Sequence, residues 1–138
     1  MVSSPFRAAF AAADCSAGFS AANSARFMVL RPPPPLDPPP STASVDVLKS
    51  GGEAYNQYCA ACHGQDGQTR GSNFPNLMVT PLLYSREGFN QVVLKGVRTD
   101  KGMGSFSKDL KAADSVAVRE YLIARANALE SATEIHGV

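Results

Sequence analysis

An all-α domain with long loops is what this sequence predicts over residues 44–130. Apolar residues recur at three- and four-residue spacing in three separate stretches, and no alternating strand pattern of useful length appears. Proline placement sets the boundary of the domain. Seven of the ten prolines fall between Pro32 and Pro40, whereas residues 41–138 hold only Pro75 and Pro81. Such a run fixes φ and removes amide donors, so residues 32–43 read as a semi-rigid polyproline II linker. At ~3.1 Å per residue, Pro32 to Pro40 would hold the domain about 28 Å from whatever precedes it. Residues 1–31 are rich in Ala and Ser without a sustained period, and read as a disordered leader or remnant. Arg7 and the run Ala8 to Ala13 loosely suggest a signal peptide, but Asp14 interrupts the apolar middle and the region before Arg26 is a poor cleavage site. Cys15 reads as an incidental thiol, and residues 131–138 as a C-terminal tail.

The first helix is expected from Val45 to Tyr58, with Leu48, Gly52, Tyr55 and Tyr58 on one face and Ser44 as N-cap. Gly51 and Gly52 each cost about 1 kcal/mol of helix propensity against Ala, which points to close approach by another element. A second helix is expected from Ser85 to Lys95, with Phe89, Val92 and Val93 on one side and Gly96 as the stop. The third runs from Ala113 to Ala128. Asp114 lies in its first turn, Val118, Tyr121 and Leu122 face inward, and Arg125 buries only its stem.

Composition narrows the function classes. The chain has 138 residues with a formal net charge of +1, so no strong field selects nucleic acid. No uncharged apolar run approaches the ~18 residues of a membrane helix. There is no Trp, and three helices supply few large aliphatics to order loops such as Gly64–Asn76 and Gly102–Ser107. That shortage points to a large apolar group filling the middle of the domain.

Directly after the first helix comes Cys59-Ala60-Ala61-Cys62-His63. C-x-x-C-H is the attachment signal for c-type haem. Two cysteines three positions apart present both sulfurs from one turn of chain to the two vinyl edges, and His63 follows where its imidazole reaches the iron. Two rivals are weaker. A thioredoxin-like pair wants a preceding strand and a βαβ pattern, and a zinc site wants four ligands where only distant Cys15 and His136 remain. The second axial ligand is less directly encoded. His136 lies near the C-terminus, and Met78 is 15 residues after His63, close enough that the chain would barely clear the ring. Met103 lies 40 residues after His63, between Gly102 and Gly104, which let the backbone approach a flat ligand. Met103 is favoured, with core filling as its plain alternative.

Over residues 44–128 these features resemble class I c-type cytochromes. The resemblance implies a small fold of three to five helices wrapped around one covalent haem c. It also implies first and last helices crossing with Gly52 near Tyr121, the Pro75 carbonyl accepting from the axial His63 Nδ1–H, and Leu77 packed on the haem face. The wording Ala54-Tyr55-Asn56-Gln57-Tyr58-Cys59-Ala60-Ala61-Cys62-His63-Gly64, then Val92-Val93-Leu94, then Gly102-Met103-Gly104-Ser105-Phe106, is similar to the C-terminal cytochrome domain of PQQ-dependent quinohaemoprotein alcohol dehydrogenases. In that family a quinone-bearing propeller oxidises alcohol and passes electrons to the cytochrome through a Pro-rich linker. The 43 residues before the domain cannot build a propeller, so no PQQ is expected in this chain and the dehydrogenase activity is not carried over. The implied role is that of a one-electron carrier rather than an enzyme by itself. It would accept electrons from a PQQ-dependent dehydrogenase and pass them to a respiratory oxidase, cytochrome or quinone. A generic soluble cytochrome c and a haem sensor or enzyme with a displaceable Met103 stay open. Arg98 and Lys101 read first as solvated charge and second as partners for haem propionates. Haem c attachment implies a periplasmic location in a Gram-negative bacterium.

Overall fold

The computed structural model of the chain describes residues 37–69 and 73–136, with side chains through residue 133. The expectations for residues 1–31, including Cys15, and for the linker up to Leu36 lie outside the described residues. Among those described there are four α-helices and no strand. These are α1 (Val45–Tyr58), α2 (Ala60–His63), α3 (Arg86–Val93) and α4 (Ala112–His136), with short 3-10 turns at Leu77–Val79, Pro81–Tyr84 and Thr99–Lys101.

The α1–α4 crossing is the most extensive contact between any two elements, and glycine makes it. A Cβ placed on Gly51 would stand 2.0 Å from the Ala117 carbonyl oxygen, and one on Gly52 would stand 3.1 Å from the Tyr121 ring. The helices therefore meet backbone to backbone, and the expected pairing of Gly52 with Tyr121 is present. Ser44 occupies the N-cap of α1 in an extended conformation, yet its side chain makes no capping hydrogen bond. Ser85 does cap: its Oγ accepts from the Gly88 amide at 2.9 Å, so α3 starts one residue later than expected. Gly96, at φ 64°, turns the chain away after it.

The last helix departs from expectation. It begins at Ala112 and continues to His136, past the expected end at Ala128 and through most of the expected tail. Nothing between Leu129 and His136 is a glycine or proline, so no residue there stops a helix. Its start is fixed by the Asp114 carboxylate, which accepts from the Lys111 amide at 2.8 Å, half of a capping box. Val118, Leu122, Ile123 and Ala126 are buried along it, with Tyr121 only half-buried, so Ile123 and Ala126 take the inward places expected of Tyr121 and Arg125. Arg125 stays 41% exposed and pairs with Asp66 at 2.6 Å. Ser115, fully buried, donates to Asn90 Oδ1 at 2.7 Å and ties α4 to α3.

The described end of the proline-rich segment also departs from expectation. Pro38 and Pro39 are half-buried, and the Asn127 side chain on α4 donates to the Pro39 carbonyl at 2.9 Å. Residues 37–40 are thus held on the domain rather than standing off as a free spacer.

Candidate cofactor cleft

Backbone geometry at the end of α1 sets the positions of the motif residues. The Cys59 amide still donates to Tyr55 O at 2.8 Å, and the Cys62 and His63 amides turn back to Cys59 O at 3.1 and 2.9 Å. Cys59 to His63 therefore form a single tight turn, ended by Gly64 at φ 74°. Tyr55 locks that turn onto α1. Fully buried, it donates its hydroxyl to Gly64 O at 2.6 Å, and its ring lies 5.5 Å from that of Tyr121. Burial first, and then the nearby Cys59 thiol, pushes the Tyr55 phenol up to about 12, so it stays a donor at ordinary pH.

Two loops complete the walls. After α2 the chain closes on itself, with the Leu77 amide donating to Gly67 O at 2.8 Å and Asn76 Oδ1 accepting from the Met78 amide at 2.9 Å. This carries Pro75 and Leu77 to the same cleft as His63, while the Phe74 ring stands edge-on to the imidazole at 5.9 Å. On the other side, the Met103 loop is pinned to the end of α3. Its amide donates to Arg98 O at 3.2 Å, the Phe106 amide donates to Val93 O at 2.9 Å, and Ser105 Oγ bonds Leu94 O.

Between these walls lies a cleft with an empty volume of about 610 Å3, its open mouth included. Cys59, His63, Pro75, Leu77 and Met103 all line it. Cys62, the sixth residue singled out by sequence, is exposed and does not. Met78 is buried in the core against Gly67, away from the cleft. The side chain of His136 lies outside the described ones. The rest of the lining is largely apolar: Phe89, Val92 and Val93 from α3, and Val118 and Leu122 from α4. These residues read in sequence as ordinary helix faces, and the structure turns them toward an open space. Thr80 and Leu82 also line the cleft and were not anticipated. Their one sequence signal is Thr80-Pro81, where the Thr80 hydroxyl accepts from the Leu82 amide at 3.4 Å and begins a 3-10 turn with Pro81 in its first position. Arg98 is exposed yet borders the cleft, whereas Lys101 is exposed beside Asp100 and does not.

The donor set has a definite chemistry. His63 is only 7% exposed, and burial lowers its pKa while the nearby Pro75 carbonyl opposes that shift. Nδ1 nonetheless makes no hydrogen bond of full geometry. A buried ring nitrogen left in this state is unusual and calls for a reason. A neutral imidazole is what metal ligation needs. Burial, and then Cys62, pushes the Cys59 thiol up to about 11. That is the opposite of the lowered thiol pKa that marks a dithiol redox centre. Among the described residues no three His, Cys, Asp or Glu side chains are grouped as a metal cage, as zinc would require.

Comparison with known proteins agrees with this geometry. The family described as cytochrome C oxidase, cbb3-type, subunit III matches residues 46–122. The dehydrogenase subunit of the alcohol dehydrogenase (quinone) of Acetobacter aceti is 32% identical over 114 residues, covering 83% of this chain and 14% of that protein. Quinohemoprotein alcohol dehydrogenase ADH IIB of Pseudomonas putida is 34% identical over 88 residues, covering 64% of this chain and 12% of that one. The solved structure of quinohemoprotein alcohol dehydrogenase ADHIIG from Pseudomonas putida HK5 superposes with a TM-score of 0.61 at 28% identity, over 72% of this chain and 14% of its own. The chain thus spans about a seventh of the length of these relatives. With this fold, this cleft and the match over residues 46–122, the chain belongs to the cytochrome c family, as a domain similar to the cytochrome part of quinohemoprotein alcohol dehydrogenases.

Proposed function

We propose that the chain is a one-electron carrier with one haem c, reduced by a quinone-dependent alcohol dehydrogenase. The observation that carries this reading is the convergence of Cys59, His63 and Met103 on one largely apolar cleft. The residues present fit the group: an apolar wall for a flat macrocycle, a buried imidazole, the Met103 thioether and Cys59 on the same cleft, and Cys62 exposed on the same tight turn as Cys59. Cys59 and Cys62 would hold the haem by thioether bonds, and His63 and Met103 would be its axial ligands. Bound there, the group supplies a ferric/ferrous couple whose potential a Met/His ligand pair raises.

The chain's own residues do the rest. Tyr55 fixes the end of the motif turn, so the imidazole is held before any cofactor arrives. Pro75 supplies the carbonyl toward which Nδ1 can turn, raising the donor strength of the ring. Phe89, Val92, Val93 and Leu122 exclude water from the cleft, which lowers its dielectric and so shifts the potential. Haem attachment of this kind takes place outside the cytoplasm, which supports a periplasmic location. Among the described residues no helix is long and apolar enough to cross a membrane.

Two experiments test the reading. Holoprotein made with a c-type maturation system should keep its colour in acidified organic solvent, and Cys62→Ser should lower the count of thioether bonds by mass. Extraction of the colour would overturn covalent attachment. Stopped-flow mixing with a reduced PQQ-dependent dehydrogenase and its alcohol should reduce the haem faster than that of an unrelated cytochrome c, and equal rates would remove the proposed donor. The 138 residues alone should not turn over alcohol, with or without PQQ and calcium. Electrons would leave to a respiratory oxidase, a further cytochrome or a quinone.

A further inference from the structure

Asn127 and Tyr84 take no part in the cleft, and both touch the end of the proline-rich segment. The Asn127 amide nitrogen donates to Ile123 O on its own helix at 2.8 Å and to Pro39 O at 2.9 Å. A proline has no N–H, so its carbonyl is its only backbone hydrogen-bonding group. At Pro39 that group is taken by a residue 88 positions later in the chain. Two residues upstream, Asp37 lies beside Tyr84 in one groove, where desolvation and then the Asp37 charge raise the phenol pKa of a ring that is 57% exposed. Asp37 and Pro38 share a shallow groove with Val79, Pro81 and Tyr84. Pro38 and Pro39 are half-buried, although Asp37 and Pro40 on either side are exposed. Surfaces of aromatic and apolar side chains suit polyproline II segments, which arrive already stiff and lose little entropy on docking.

The structure assigns the surface formed by Tyr84 and Pro81 at one end and Asn127 of α4 at the other as a docking site for the chain's own segment Asp37–Pro40. The first anchored point of the domain then moves from Ser44, at the start of α1, back to Asp37. The last part of the proline-rich run, Asp37–Pro40, is a strap on the domain. A shorter, directed connection samples fewer arrangements, and this raises effective concentration wherever its reach matches the span. The inference stands on contacts within this chain and holds whatever the cleft carries.

Backbone 15N relaxation on the full 138-residue protein tests it, because Asp37 has an amide although its neighbours Pro38 to Pro40 have none. Rigid backbone gives an order parameter of about 0.85, and flexible backbone one below about 0.6. The Asp37 amide should fall in the rigid class in the parent protein and in the flexible class in Asn127→Ala/Tyr84→Phe, with the amides of α1 and α4 unchanged. Asn127→Ala raises helix propensity, and Tyr84→Phe removes one hydroxyl from an exposed ring, so the fold is not at risk from either change. Should the double variant lose order in α4, Asn127→Asp, which keeps the side chain's size but removes the donor to Pro39 O, decides the matter. A flexible Asp37 in the parent, or a variant as ordered as the parent, would overturn the docking site.

Discussion

The two ends of the Cys59–His63 turn are built on opposite principles. Beneath it, α1 and α4 cross with no room for a single extra atom: a Cβ on Gly51 would overlap the Ala117 carbonyl at 2.0 Å. At the Met103 loop, which borders the same cleft, there is room: Gly102 and Gly104 have nothing within 4 Å of a built Cβ, and the loop is held by a backbone hydrogen bond to α3. The crossing is thus a closed, close-packed scaffold that holds one side of the site still. The other side is a tethered loop able to adjust to what the cleft binds. The proposed ligand pair would join a donor on the rigid side to one from a distant part of the chain.

Breaking the crossing should have the largest effect. Gly51→Ala gains helix propensity, yet the clash should cost about 3 kcal/mol or more, lowering Tm by more than ~10 °C in thermal circular dichroism. An unchanged Tm would mean that the helices do not touch as described. Next comes the bond between the crossing and the motif turn. Tyr55→Phe leaves Gly64 O without its donor and should cost about 1–2 kcal/mol. The Tyr55 pKa is raised from 10.0 to about 12 in the fold, so the neutral form is the one folding favours. Its contribution is therefore complete below pH 10 and lost as pH rises toward 12. The stability gap between parent and Tyr55→Phe should close over that window, and a gap that widens there would contradict the assignment.

On the open side the effects should be smaller and of a different kind. Gly102 adopts φ 87°, ψ 0°, so Gly102→Ala meets backbone strain without a clash and should cost roughly 1 kcal/mol. Asp66→Asn removes the exposed pair with Arg125 and should change stability by less than about 1 kcal/mol, with the difference fading in high salt. A larger loss there would show that this pair, and not the glycine crossing, holds α4 to the motif loop.

The legible parts of the molecule were the local ones. Cys59, Cys62 and His63 lie within five consecutive residues, so the single turn they form was legible from their spacing, and the paired glycines of α1 announced a close approach. Met103 could be singled out by its flanking glycines and its distance from His63. Thr80 and Leu82 could not, because they reach the cleft through the course of a loop that is set by the Gly67–Leu77 hydrogen bond. The end of α4 was misread because a helix without a stop signal gives no local mark of where it ends. The docking of Pro39 depends on Asn127, and no pattern in the sequence connects residues so far apart.

The central claim is that His63 and Met103 face one bound group from the two unlike walls. The near-infrared sulfur-to-iron band of the ferric holoprotein tests it most directly, in Met103→Ala beside Met78→Leu. Met78 is a core residue at 2% exposure, and the volume-conserving change to Leu should cost less than about 1.5 kcal/mol and leave the band intact. Met103→Ala should abolish the band and lower the reduction potential. Retention of the band in Met103→Ala, with its loss in Met78→Leu, would contradict the account and move the second ligand to the loop that here packs the core.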